Sequence, residues 1–196
     1  MKIYVQAARN NIESSLQLWG TSPDTNILYI LGYSGSGKST KAIELAKDYN
    51  ADVIHLDLYF EGHIDTVHRS KLFNKYLEEH FPEYVEIYDS RNEISKSDWG
   101  KLVEEFESTL LQYGRYMYSR GILVIVEGVQ LMDGTLFPDK SFFKHVPTIL
   151  LSTSNFVSSL RGAARDKITP VNFINNTKHN KNRKQQYRNI KHILED

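Results

Sequence analysis

"NILYILGYSGSGKST", Asn26 to Thr40, runs from a short apolar stretch straight into a loop of three glycines, small hydroxyl residues and one lysine. A continuous apolar run of this length, bounded by turn residues, reads as a strand buried on both faces, as in parallel sheets. The residues after the loop, "STKAIELAKDYN", place Ala42, Leu45 and Ala46 on one face of a short amphipathic helix. A second β-branched run, Val53 to Leu56, follows it. Strand, glycine loop, helix and strand make a βαβ unit.

Working outward, two further runs have the same character: Ile122 to Val126 and, more weakly, Thr148 to Leu151. Helical patterns lie between. One spans Ile64 to Phe81 and stops at Pro82. A longer one has its cap signal at Ser97 or Asp98, an apolar stripe at Leu102, Phe106, Leu110 and Met117, and its stop at Gly121. The interval between the second and third strands is longer than one crossover helix needs, so residues 60–118 read as a helical insertion beside the active edge. Alternating strands and helices predict an α/β fold of three layers, a parallel sheet flanked by helices. The whole chain, 1–196, is one domain by this reading, with a core over 25–170 and a basic tail over 172–196. "MKIYVQ" is open to two readings, edge strand or capping segment. The tail loses regular apolar spacing and reads as mobile, with "QQYRNIKHILED" as a final short helix.

Composition removes several function classes. Hydrophobic residues make up 40% and charged residues 24%, a soluble globular mixture. No apolar run approaches the length of a membrane span, no signal-peptide pattern opens the chain, and cysteine is absent. These features lead to the expectation of a cytoplasmic protein without disulfides, thiolate metal sites or a membrane partner. His55, His63 and His68 fall in no metal-binding pattern and read as surface or core residues. The zero net charge is unevenly spread: residues 161–196 carry 9 Lys+Arg against 3 Asp+Glu, so the body is acidic and the tail basic. A basic tail is either a solvated face or the docking point of an anionic partner.

The glycine loop carries the chemistry. Gly32 to Ser39 fits G-x-x-x-x-G-K-[ST], the P-loop pattern, between a strand and a helix as that pattern requires. Backbone N–H groups of a tight loop that opens a helix bind anions, and glycines let the phosphate come close. Gly32, Ser34, Gly35, Ser36, Gly37, Lys38, Ser39 and Thr40 are therefore the expected nucleotide-binding residues. Lys38 would reach the β and γ phosphates and Ser39 would ligate Mg²⁺.

Three further features refine the reading. "VIHLDLYF" puts Asp57 at the end of the second strand, beside the glycine-loop strand, where a carboxylate accepts a proton from an attacking hydroxyl or holds Mg²⁺; the other reading is that it starts a turn or caps the next helix. "VIVEGVQL" puts Glu127 where an acid would order Mg²⁺, unless it is a surface glutamate. Arg161 and Arg165, four apart in "LRGAARD", share one helix face and suit a phosphate clamp, or an exposed helix. Tyr59 and Phe60 stack on a base or enter the core.

In order, "GYSGSGKST", "HLDLYF", "VIVEGVQL" and "LRGAARD" resemble the loop, acceptor-side acid, Walker B acid and arginine lid of P-loop kinases of the nucleoside and nucleotide kinase group, particularly those similar to uridine kinase. The resemblance covers roughly Ile27 to Lys167. It implies a P-loop NTPase fold and ATP with Mg²⁺. It also implies catalytic roles for Lys38, Asp57, Arg161 and Arg165, and Ser39, Asp57 and Glu127 around the metal. The chain departs from the family in its single acid in "LDLY" and its sparser lid, and the stretch from Phe60 to Tyr118 has no match. The expected function is transfer of the γ-phosphate of ATP to a hydroxyl of a small acceptor, a nucleoside or nucleotide. Two alternatives stand beside it. One is a polynucleotide or zeta-toxin-like nucleotide-sugar kinase, in which a nucleic acid meets the basic tail through Lys178, Lys181, Arg183, Lys184, Arg188 and Lys191. The other is a nucleotide-binding switch without a small acceptor.

Overall fold

The computed structural model describes residues 9–33, 35–60, 69–85, 96–152 and 180–195. Up to the second strand the elements are α1 (Arg9–Leu18), β1 (Ile27–Leu31), α2 (Lys38–Tyr49) and β2 (Asp52–His55). The insertion carries α3 (Asp57–Phe60), α4 (Lys71–His80) and α5 (Lys96–Tyr118). Then come β3 (Val124–Glu127), α6 (Gln130–Asp133), a 3-10 turn at Lys140–Lys144, β4 (Thr148–Leu150) and α7 (Asn180–Glu195).

The four strands form one parallel sheet in the order β2-β3-β1-β4. The expectation that β2 lies beside the glycine-loop strand is thereby corrected, because β3 intervenes. Burial explains the order. Every residue of β1 and β3 is buried, as central strands demand, whereas β2 is only partly buried and takes an edge.

Alternate residues of β1 feed two layers. Ile27, Tyr29 and Leu31 join Ile54, Val126 and the buried stripe of α5 on one face. Leu28 and Ile30 meet Trp19, Ala42 and Leu45, from α1 and α2, on the other. The result is an α/β fold with helices on both faces of a parallel sheet. The stripe expected on α5 is buried throughout, at Leu102, Phe106, Leu110 and Met117. The helix expected from Ile64 has its described part from Lys71, capped by Ser70; residues 61–68 lie outside the described residues. Ser70 Oγ accepts from Phe73 N at 2.9 Å and donates to Asp52 Oδ2 at 2.7 Å, a link to β2 that fixes where α4 begins.

Two helices depart from expectation. α1 precedes the sheet and covers β4, where Ser15 Oγ donates to the Thr148 carbonyl at 2.7 Å. The segment "MKIYVQ" itself lies outside the described residues. Of the tail, expected to be mobile with a short end helix over 185–196, residues 172–179 lie outside the described residues and Asn180–Glu195 forms the 16-residue α7. Its Ile190 is fully buried, with Tyr187 and Leu194 packed against the same core, so an i, i+3, i+7 stripe docks it on the body. Among the described residues no helix is long and apolar enough to cross a membrane.

Candidate functional site

The strand order creates a crevice. From β1 the chain passes to β2 on one side, and from β3 it passes to β4 on the other. Loops leaving these two adjacent strands part from each other at their carboxyl ends, which is where open α/β sheets bind ligands. The glycine loop follows β1, and the turn at Gly128 and Val129 follows β3.

The loop is held by its own carbonyls. Ser36 N donates to the Tyr33 carbonyl at 3.0 Å, and Lys38 Nζ donates to the same oxygen at 3.1 Å. Gly37, with φ 94°, sits in the left-handed region as the N-cap of α2, a conformation that suits glycine. A β-carbon on Gly32 would come within 2.5 Å of Ser36 Oγ and 2.9 Å of the Leu151 carbonyl, so no side chain fits there. No side chain caps α2. A helix start attracts anions, and no side-chain cap competes for this one. Among the described residues Ser36 Oγ is buried with no hydrogen-bond partner, a group that a bound anion would satisfy.

Sheet register assembles the other half. His55 pairs with Glu127 across β2 and β3, Glu127 with Ile30, and Ile30 with Ile149. Residues in one row of a parallel sheet share a face, here the face under α2. Ser39, in the first turn of α2, donates its hydroxyl to Glu127 Oε1 at 2.8 Å. Donating this proton leaves the lone pairs of Ser39 for a cation. His55 Nδ1 lies 2.6 Å from the same Oε1, and because a carboxylate only accepts, the imidazole donates through Nδ1–H.

Glu127 is only 3% exposed, which excludes the reading as a surface glutamate. Burial, the largest influence, pushes its pKa up. The His55 hydrogen bond, the charge of nearby Lys38 and the Ser39 hydroxyl act together against it and hold the carboxyl below its ordinary value. No hydrogen bond among the described residues reaches Oε2.

Asp57 is not on the strand but is the first residue of α3, and Val129 N donates to its Oδ1 at 3.4 Å. It thus stands at the same end of the sheet, next to the turn after β3. Tyr59 belongs to the core: it is 1% exposed and its hydroxyl donates to Asn74 Oδ1 at 2.8 Å. Phe60 packs edge-on against Phe106 at 4.9 Å. Tyr59 is therefore not presented for stacking on a base, while Phe60 is partly buried. Thr40 is exposed on α2. Ser34, Arg161 and Arg165 lie outside the described residues.

Gly32, Gly35, Ser36, Gly37, Lys38, Ser39 and Glu127 therefore meet at one place, and Asp57 borders it. His55 is the residue the sequence reading missed. Its signal was faint, a position two residues past Val53 that alternation assigns to the α2 face.

The donor set is one of hard oxygens, the kind that suits Mg²⁺, Ca²⁺ or Mn²⁺. Among the described residues no three His, Cys, Asp or Glu side chains converge as a metal cage. Mg²⁺ in phosphoryl-transfer sites needs none, because one or two protein oxygens share it with phosphates and water. Ser39 Oγ and Glu127 are hard oxygens of that kind. No known protein family and no curated protein matches this chain.

Proposed function

We propose that this chain is a P-loop phosphotransferase that moves the γ-phosphate of ATP to a hydroxyl of a small acceptor, a nucleoside or nucleotide. The observation that carries the reading is the joining of the two halves of the crevice: Ser39, at the uncapped start of α2, donates to the buried carboxylate of Glu127 at 2.8 Å. A structural glycine turn has no use for a lysine and a buried acid brought to the same place.

In this reading the loop N–H groups and the start of α2 hold the triphosphate, and Lys38 leaves the Tyr33 carbonyl to neutralise its charge. Mg²⁺, when bound, supplies electrostatic stabilisation of the transferring phosphoryl group, with Ser39 as ligand and Glu127 behind its water shell. Asp57 takes the proton of the acceptor hydroxyl or orients it. Catalysis is positioning and charge neutralisation, since phosphoryl transfer asks for little covalent chemistry from the protein.

The test is transfer of radiolabelled γ-phosphate from Mg-ATP to a panel of nucleosides, nucleotides, nucleotide sugars and 5′-hydroxyl oligonucleotides. A labelled small acceptor is expected, lost in both Lys38→Ala and Asp57→Asn. Slow hydrolysis without any labelled acceptor, surviving Asp57→Asn but not Lys38→Ala, would remove Asp57 from its role and favour a switch.

A further inference from the structure

We infer that His55 is a positioning residue for the metal side of this site: it fixes Glu127, and through Glu127 the hydroxyl of Ser39, in the arrangement that a divalent cation requires. The inference rests on the phosphotransferase reading and names a part of the site that the glycine-loop motif does not contain.

Glu127 Oε1 accepts two hydrogen bonds, from His55 Nδ1 at 2.6 Å and from Ser39 Oγ at 2.8 Å. A carboxylate rotates about its terminal bond with little hindrance. With Ser39 as sole partner, Glu127 would be held by a hydroxyl that itself turns freely. The imidazole restricts that freedom as a second donor on the same oxygen, carried by β2, whose register against β3 places His55 opposite Glu127. Holding Oε1 between His55 and Ser39 turns Oε2 away from both, and Oε2 is the oxygen left to receive a water of the cation.

Ser39 gains as well. Its proton is committed to Glu127, so its lone pairs face outward. Among the described residues no third His, Cys, Asp or Glu side chain lies with His55 and Glu127, so the pair forms no metal cage of its own. Glu127 is the outer-shell partner of the ligand Ser39, and His55 lies one shell further out, so its removal should cost metal affinity near the lower end of the about 10–100-fold that outer-shell partners typically contribute.

The experiment separates metal from nucleotide. Binding of Mn²⁺, a spectroscopic stand-in for Mg²⁺, is followed by electron paramagnetic resonance with saturating ADP, and metal-free ADP binding is followed by calorimetry. Wild type is compared with His55→Leu, His55→Asn and Lys38→Ala. In His55→Leu, Mn²⁺ affinity should fall by about tenfold, the lower end of the outer-shell range, while metal-free ADP affinity stays within about twofold of wild type. His55→Asn, which keeps a donor, should recover part of the loss. Equal Mn²⁺ affinity in wild type and His55→Leu overturns the inference alone, as does an equal loss of metal-free ADP affinity, which would mark a packing role. Failure of wild type to bind ADP, or binding indifferent to Lys38→Ala, overturns the phosphotransferase reading and this inference with it. A nitrogen-15 spectrum of the histidine rings adds a metal-free readout: the Nδ1–H tautomer is expected at His55, and the Nε2–H tautomer would refute the bond on which the inference stands.

Discussion

Truncating Phe106 to alanine should undo the packing that supports the acceptor side of the crevice. Phe106 is fully buried on α5. Its ring centroid lies 4.9 Å from Phe60, 5.0 Å from Tyr84, 5.8 Å from Phe73 and 6.0 Å from Tyr59. Four rings from α3, α4 and the 82–85 turn thus converge on one side chain, and rings cannot collapse into the space it vacates as flexible chains would. Replacing a buried phenylalanine by alanine costs about 3–5 kcal/mol, and the rigid surroundings argue for the middle or upper part of that range. Taking about 4 kcal/mol and a urea m-value near 2.5 kcal/mol/M, the midpoint should fall by about 1.6 M. The melting temperature should fall by about 8–16 °C for a chain of this size. Phe106→Leu, which refills much of the space, should cost no more than about 1.5 kcal/mol. Urea unfolding followed by circular dichroism and by tyrosine fluorescence checks both, and coincidence of the two probes licenses the comparison. A midpoint shift below about 0.5 M for Phe106→Ala, with m unchanged, would refute the assignment of this ring as the keystone of the insertion.

Three further outcomes follow from particular contacts. Tyr113→Phe keeps the ring but removes the hydroxyl that donates to Asp52 Oδ2 at 2.8 Å, so the urea midpoint should report a loss of about 1–2 kcal/mol; no change would mean that Ser70 alone satisfies Asp52. Burial pushes Lys140 down to about 8 against the pull of Asp133 and Glu107. The unfolded chain therefore binds the proton more tightly than the folded one, and the stability difference between wild type and Lys140→Met should rise in favour of wild type from about pH 8 towards 10.5, the ordinary lysine value. A flat difference across that window, measured by urea unfolding at each pH, would contradict it. Tyr33→Phe removes the hydroxyl that accepts from Tyr187 N at 2.9 Å, so amide exchange measured by mass spectrometry should quicken in α7 with β1 and β3 unaffected; unchanged exchange would show that the packing of Tyr187, Ile190 and Leu194 holds the helix without this bond.

What the sequence revealed and what it hid divide along the range of the interactions. The strand, glycine loop and helix from Ile27 to Tyr49 were legible because each is decided locally, by an apolar run, by residues free to take positive φ, and by an amphipathic period. The stripe of α5 was legible for the same reason. The position of β2 was not, because apolar β-branched strands carry no mark of which neighbour they pair with. The start of α4 was read early because Ser70 is chosen as a cap partly through Asp52, a partner on another element. The docking of α7 was hidden by its composition, in which Tyr187, Ile190 and Leu194 are the apolar residues of a stripe diluted by Asn, Lys and Gln.

The same division runs through the site. Its phosphate half is a contiguous motif, whereas its acid half is written across β2, β3 and α2, and only the register joins His55 to Glu127 and Glu127 to Ser39. A buried carboxylate costs several kcal/mol of lost hydration unless it is paired and hydrogen-bonded. Three residues supply that compensation here, two by hydrogen bonds and Lys38 by its charge. They come from both sides of the crevice, so Glu127 stays ionised in the sheet only while β2, β3 and the start of α2 hold their places. The acid that would order a cation thus depends on the fold as a whole, while the loop that would hold the phosphates depends mainly on its own eight residues, Gly32 to Ser39.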